Sequence, residues 1–392
     1  GGDHGADPDE RVAGIEDVVD DQYIAVADVE PERLGDGLKL YLDCIVFIFG
    51  AVVGSFLNVC VHRMPRGRSI VRPPSHCPKC KEPIQWFDNI PILSYVILRG
   101  RCRNCAVRIS PRYALVELVT GLFFLAVWLK FTGWLIPIFW LFIAGLLVAT
   151  FIDFEHYIIP DEITLGGCVA GLVLATAFPP LVGETVWYLG LVWSFVGLLV
   201  GGLSVWAIVE VGKLAFGRRK VPLELGTVVT IADKQLTVQD EVVKWEELFM
   251  RDSDRIRFRA ATLTFADKTL ADVDVRVSET HLYLGEEQFE LTTVGPIRAT
   301  TDLLILPQEA MGFGDVKLMA GIGAFLGWKP ALFTLMVSSL LGSVVGLGLI
   351  ILRLREMRGR IPYGPYIAAA AVLWVFYGRE LVDWYMRLLI KE

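Results

Sequence analysis

Histidine and charge are both scarce in this 392-residue chain, which has five histidines and only 21% Asp, Glu, Lys and Arg. His62, His76, His156 and His281 are scattered, and none has a partner at metal-ligand spacing, which argues against a histidine-built metal centre. No Gly-rich nucleotide fingerprint is visible, so no dinucleotide fold is indicated. No secretory signal is visible either. Residues 1–38 are acidic and lack an apolar core, and they read as a disordered tail. The tail begins Gly-Gly rather than Met, which reads as a trimmed start or an added remnant.

What the chain has instead is apolar length. It is 54% hydrophobic, with a mean hydropathy of +0.51. Runs of about twenty apolar residues read as membrane helices rather than core helices. Eight segments are expected, near 39–61, 113–131, 134–152, 163–180, 186–211, 316–328, 330–353 and 362–378. The sixth is short for a bilayer and rich in glycine.

Lysine and arginine orient these segments. The loop 62–112 carries eleven basic residues against Glu82 and Asp88, a balance of 11 − 2 = +9. Lys213, Arg218, Arg219 and Lys220 follow the fifth segment, and Arg353, Arg355, Arg358 and Arg360 follow the seventh. Cytoplasmic loops carry the excess of positive charge, and eight alternating crossings put all three clusters on that side. Both chain ends then lie outside.

Residues 217–310 interrupt the pattern. Period-two alternation over Val228–Ile231, Arg255–Arg259, Thr262–Phe265, Val273–Val277, His281–Leu284 and Gln288–Leu291 predicts a small antiparallel sheet or barrel. Its 12 basic and 17 acidic residues are no nucleic-acid patch. The expected fold is therefore an all-α polytopic membrane protein with a four-cysteine loop and a β-rich cytoplasmic insert. Its parts are the tail 1–38, the first helix 39–61, the loop 62–112, helices two to five in 113–216, the insert 217–310 and helices six to eight in 311–392.

Two acids stand at edges of apolar segments. Asp153 ends Leu146–Ile152, and Asp315 follows Gly312-Phe-Gly314. A carboxylate at membrane depth is costly to keep and points to function. Asp153 ends a segment running inward and Asp315 starts one running outward, so both fall at the cytoplasmic face. Two carboxylates within a hydrogen bond or one water of each other cannot both ionise cheaply. The charged member can activate water and the neutral member can donate to a scissile carbonyl, which is aspartic protease chemistry. Read singly, Asp315 could equally cap a helix and Asp153 could be a solvated loop acid. Asp161, just after Pro160, reads as a helix cap, and Glu117 reads as a neutralised or salt-bridged acid inside segment two.

Seven cysteines are present, and four form the pairs Cys77-x-x-Cys80 and Cys102-x-x-Cys105, with 21 residues between the pairs. Two such knuckles make a tetrahedral thiolate site, usually for Zn²⁺ in a closed, structural role. A rubredoxin-like iron is open on ligands alone. Cys44, Cys60 and Cys168 lie in apolar runs and read as small buried hydrophobes.

These motifs, in order, resemble the bacterial type IV prepilin peptidases (prepilin leader peptidase/N-methyltransferases), membrane aspartic proteases of the Gly-x-Gly-Asp class. The likeness is carried by Gly54–Val59 with His62–Pro65, both cysteine pairs, Asn89–Tyr95, Arg112–Leu118, the two Asp motifs and Ile361–Tyr366. It covers roughly 39–211 and 308–378.

The resemblance implies Asp153 and Asp315 as the catalytic pair, with Asp161 in the motif but not acting. It implies prepilin or pseudopilin substrates with a short basic leader, and methylation of the new N-terminus from S-adenosylmethionine. It also implies a place in the bacterial inner membrane with the active site at the cytoplasmic face. The long insert departs from the family pattern. It could regulate the active site or dock to pilus or secretion machinery. A peptidase without methyltransferase activity, a proton-coupled transporter using the acids as a relay, and a membrane scaffold are the competing readings.

Overall fold

The computed structural model describes residues 36–352 and 362–390, apart from 217, 225, 233, 240, 250–253, 267 and 308–311. The expected disordered tail, all but its last three residues, and the Arg353–Arg360 cluster lie outside the described residues. The chain divides into two compact units, one of Gly1–Val205 with Phe313–Glu392 and one of Trp206–Gly312.

In chain order the helices of the first unit begin with α1 (Asp36–Arg63), the short α2 (Leu93–Ile97), α3 (Arg112–Lys130), α4 (Leu135–His156) and α5 (Asp161–Ala177). Helix α6 (Trp187–Phe216) runs on into the second unit. Five stretches are long and apolar enough to cross a membrane: Gly37–Arg66, Arg112–Lys130, Leu135–His156, Pro179–Gly212 and Trp328–Ile351. The protein is a multi-pass membrane protein. The other three expected segments are shorter. Helix α5 has 17 residues, a helix at Phe313–Leu326 has 14, and the last apolar stretch is Gly364–Gly378. At 1.5 Å per residue, 17 residues reach only about 26 Å, short of a hydrocarbon core of about 30 Å.

Lipid-facing helices gain nothing from hydrophobic contact with one another, so they associate through close backbone approach. Helices α1 and α3 do so at Gly54, where a Cβ would lie 2.7 Å from the Glu117 Cα. Helix α6 meets the Phe313–Leu326 helix at Gly197 and Gly323, each of which faces the other's carbonyl oxygen with no room for a side chain. Ser194 adds a hydroxyl donated to the Ala324 carbonyl at 2.5 Å.

The second unit is an antiparallel sheet of strands β1 (Arg218–Pro222), β2 (Val228–Ala232), β3 (Gln235–Val238), β4 (Glu241–Lys244), β5 (Ile256–Phe265), β6 (Lys268–Val277), β7 (His281–Leu284), β8 (Glu287–Glu290), β9 (Ile297–Thr300) and β10 (Leu303–Pro307). The one-turn helices α7 (Trp245–Leu248) and α8 (Leu291–Val294) follow β4 and β8. The order is β4-β3-β2-β9-β5-β6-β7-β8, and β10 pairs both β1 and β5. Two expected runs, 255–259 and 262–265, are one strand, β5. Its inward alternation slips by one residue at Ala261-Thr262. There β5 changes partner from β10, at Arg257 and Phe258, to β9, at Thr262–Thr264. Asp272, on the neighbouring strand, has φ 54° at the same level and receives two hydrogen bonds from Arg259, at 2.7 and 2.8 Å. The core is apolar and includes Val229, Leu236, Ile256, Leu263, Val277, Leu282 and Leu304.

The chain returns to the first unit through α9 (Phe313–Leu326), α10 (Trp328–Ile351) and α11 (Gly364–Ile390).

Candidate active site and metal centre

Asp153 lies on the last turn of α4 and is 5% exposed. Tyr157 ends that helix in a left-handed conformation, and its N–H donates to the Asp153 carbonyl at 3.0 Å. The loop then turns through Ile159 and Pro160 into α5. Asp315 lies in the first turn of α9 and is 7% exposed.

One isoleucine links the surroundings of the two acids. A Cβ on Gly314, beside Asp315, would lie 3.2 Å from the Ile159 Cβ. A Cβ on Gly364 would lie 3.2 Å from the Ile159 Cδ1 and 2.8 Å from the Asp153 Oδ2. The motif that contains Asp315 and the start of α11 therefore both close on the loop that follows Asp153. Gly364 donates its N–H to Asp153 Oδ2 at 2.9 Å. That N–H belongs to the first residue of α11 and has no partner within the helix, so a carboxylate suits it. Sequence reading singled out the segment 361–366 but gave Gly364 no role. An N–H donor carries no side-chain signal.

Asp161 is the first residue of α5 rather than its cap, a place taken by Pro160. Its carboxylate pairs with Lys317 at 2.6 Å, two residues past Asp315. Cys168 of α5 offers its thiol to the Lys317 carbonyl at 3.9 Å. Asp161 thus ties α5 to α9 and is turned to a lysine. Arg112, at the start of α3, pairs with Glu155 on the last turn of α4. Glu117 is buried on α3 and accepts a hydrogen bond from the Ile92 N–H at 2.7 Å.

The four paired cysteines meet. Their Sγ atoms all lie within 4.8 Å of one another, with Cys77 to Cys105 at 3.8 Å and Cys80 to Cys102 at 4.0 Å. A tetrahedron with metal–sulfur bonds of about 2.3 Å has edges of about 3.8 Å, so the donor set fits a single metal ion.

The two knuckles repeat one another bond for bond. Cys77 N–H donates to the Glu82 carbonyl and Cys102 N–H to that of Val107, both at 2.9 Å. Lys81 and Ala106 donate back to the Cys77 and Cys102 carbonyls, again at 2.9 Å, from left-handed φ of 61° and 56°. Each closes with an isolated bridge, His76 to Pro83 and Arg101 to Arg108. Backbone N–H groups led by that of Cys80 draw the Cys77 thiol down to about 6, so it ionises readily. Between the knuckles, Arg103 clasps Asp88 with contacts of 2.6 to 3.0 Å and holds that carboxyl below its usual range.

Two family models match the chain. The Bacterial Peptidase A24 N-terminal domain matches residues 48–131, and the Type IV leader peptidase family matches 140–233 and 288–347. Residues 234–287, which hold β3 to β7, fall outside both. Three prepilin leader peptidase/N-methyltransferases are among the similar proteins. That of Klebsiella pneumoniae is 39% identical over 184 residues, 44% of this chain and 75% of the relative. That of Aeromonas salmonicida (strain A449) is 28% identical over 382 residues, 90% and 97% of the two chains. That of Myxococcus xanthus (strain DK1622) is 50% identical over 134 residues, 33% and 39%. No solved structure matches significantly. With both its halves matched and a relative of this identity covered over three quarters of its length, the chain belongs to the type IV leader peptidase family.

Proposed function

We propose that this chain is a prepilin leader peptidase and N-methyltransferase that cleaves short leaders from prepilins or pseudopilins. Family membership supports the activity, and it does not favour the transporter reading. The observation that carries the choice of residues is the closure of the Asp315 motif and of Gly364 on the Asp153 loop around Ile159. Asp153 and Asp315 form the catalytic pair. One carboxylate takes a proton from water as its oxygen attacks the scissile carbonyl carbon, and the other, protonated, donates to the carbonyl oxygen. Collapse of the tetrahedral species breaks the C–N bond, and the amine leaves with a proton. Gly364 holds the Asp153 carboxylate in orientation, and the Asp161–Lys317 pair holds α9 against α5.

S-adenosylmethionine would supply the methyl group for the new N-terminal amine; no residue of this chain is assigned to it. Zn²⁺ would be held by Cys77, Cys80, Cys102 and Cys105, closing the loop 62–112 structurally without a part in the chemistry. The division into a tail, a zinc loop, two membrane blocks and a β-rich insert follows the same reading. So do the three shorter helices as further crossings, giving eight, and the cytoplasmic placing of the acids in a bacterial inner membrane. The positive loop 62–112 supports that placing.

The test is cleavage of a prepilin-like substrate by the full chain in bilayers. Asp153→Asn and Asp315→Asn variants that insert normally are each expected to lose activity by about 10³-fold. Wild-type-like cleavage by either overturns the assignment. The product mass separates cleavage from cleavage with methylation.

A further inference from the structure

Helix α2 is inside out. Its buried residue is Ser94, whose hydroxyl donates to the Phe87 carbonyl at 3.0 Å and accepts the Ile90 N–H at 3.0 Å. Leu93, Val96 and Ile97, at the i, i+3 and i+4 positions of one face, are 52%, 65% and 65% exposed. Trp86, just upstream, is 80% exposed, and Phe87 and Ile90 beside it are exposed too. A water-facing helix would reverse this pattern. Large apolar side chains exposed together on one short segment mark an interaction surface.

Three observations name the partner. First, the segment is held at the membrane end of the loop. The Ile92 N–H donates to Glu117, which lies five residues into the membrane-spanning stretch Arg112–Lys130, about 7.5 Å along its axis. The residue before α2 is therefore held against the first turns of α3. Second, both ends of the loop leave from membrane helices, α1 and α3, which pack directly on each other at Gly54 and Glu117. Third, the surroundings are cationic. Arg99 and Arg101, both exposed, follow α2 directly in the chain, in a loop of balance +9. Tryptophan, aliphatic side chains and a basic rim together are the chemistry of an interfacial anchor on anionic lipid.

We propose that Trp86, Leu93, Val96 and Ile97 insert into the headgroup–acyl boundary of the bilayer, laying the four-cysteine loop flat on an anionic phospholipid surface. The proposal rests on the membrane reading of α1 and α3 and is independent of the peptidase chemistry. The anchor fixes the height of the cysteine knuckles above the bilayer, at the membrane face where α3 begins.

The experiment places the photocrosslinker p-benzoylphenylalanine in place of Val96, Trp86 or, as a control, the exposed Lys79, in the full chain. Each variant is reconstituted in nanodiscs of phosphatidylcholine alone or of equal parts phosphatidylcholine and phosphatidylglycerol. Peptide masses then report the crosslinks. Positions 96 and 86 are expected to carry phospholipid adducts and position 79 few. Adducts should rise on the order of five-fold with phosphatidylglycerol, and Arg99→Gln with Arg101→Gln should remove that rise. Crosslinks at 96 and 86 to protein, whether this chain or a second copy, or no lipid adduct at either, overturn the proposal. Prepilin cleavage is measured on the same samples, so intact cleavage without lipid adducts would sink the anchor and leave the peptidase reading standing.

Discussion

The two units share an apolar interior and differ in the charge they bury. In the β-rich unit the interior is aliphatic and aromatic, and its buried polar residues among those described are Thr227, Ser278 and Thr301. In the helical unit large hydrophobics such as Met336, Leu141 and Val344 face outward, while Glu117, Asp153 and Asp315 are buried. Among the described residues, every buried carboxylate belongs to the helical unit. The difference is one of solvent. In water, burying apolar area supplies the stability and a buried charge works against it. In lipid, outward apolar side chains already have their solvent, so beside apolar packing at Ile143, Ile152, Met319 and Ile322 the interior can also hold small residues and polar groups. The two acids proposed as the catalytic pair, Asp153 and Asp315, both belong to that helical unit.

That contrast can be broken in four ways, from the largest expected effect to the smallest. Removing the metal acts on the one part of the helical unit that has little core. Cys77→Ser, or a strong chelator, should abolish metal binding and unfold residues 73–110, since structural Zn²⁺ contributes on the order of 10 kcal/mol to such loops. Metal analysis and amide exchange check this, and unchanged metal content in the variant removes the site. The sign of its pH dependence follows from Cys77. Its folded thiol ionises near 6, below an unfolded value of about 8.5, so its contribution is complete above the unfolded value and is lost as pH falls through the folded one. Protons compete with the metal for the thiolates, so acidification should release it.

Leu263→Ala, in the core of the β-rich unit, should cost about 2–5 kcal/mol and speed amide exchange in β5 and its neighbours. If the chemistry resides in the helical unit, prepilin cleavage stays within about twofold; a large loss of kcat/KM would tie the sheet to the active site.

Gly364→Ala introduces a methyl group 2.8 Å from the Asp153 carboxylate. A misplacement costing about 1–3 kcal/mol should lower kcat/KM by about 5–150-fold. Unchanged kinetics would show that this contact does not orient the acid.

Lys317→Met removes the partner of Asp161, whose side chain is 58% exposed. A pair so open to solvent contributes about 0.5 kcal/mol, and cleavage should fall by about twofold. A loss approaching that of Asp315→Asn would instead place Asp161 in the chemistry.

Much of this architecture is legible in the amino-acid sequence, for reasons that differ by region. The cysteine pairs can be read because each knuckle is built within a few residues, although the bond-for-bond likeness of 77–83 and 102–108 lies in the backbone and shows in no side-chain pattern. The insert can be read from alternation, but β5 reads as two strands because its phase slips at Ala261-Thr262. Strands β1, β3, β4, β9 and β10, no shorter than the legible β2, β7 and β8, lie outside the expected runs and are defined by their partners. The Gly-x-Gly-Asp turn and Asp153 can be read as costly acids. Their shared neighbour Ile159 is an ordinary apolar residue in sequence.

Composition, spacing and periodicity by themselves determined that this is a multi-pass membrane protein with a four-cysteine cluster and a β-rich insert. Those features are local, or repeat at a fixed spacing, and solvent preference is additive along the chain. Only the tertiary structure decided that Gly364, 211 positions away, donates to Asp153, that Asp161 is turned to Lys317, and that Glu117 holds the loop at Ile92. Each of those bonds joins an acid to a partner fixed by how helices cross, and no local pattern of residues encodes a crossing.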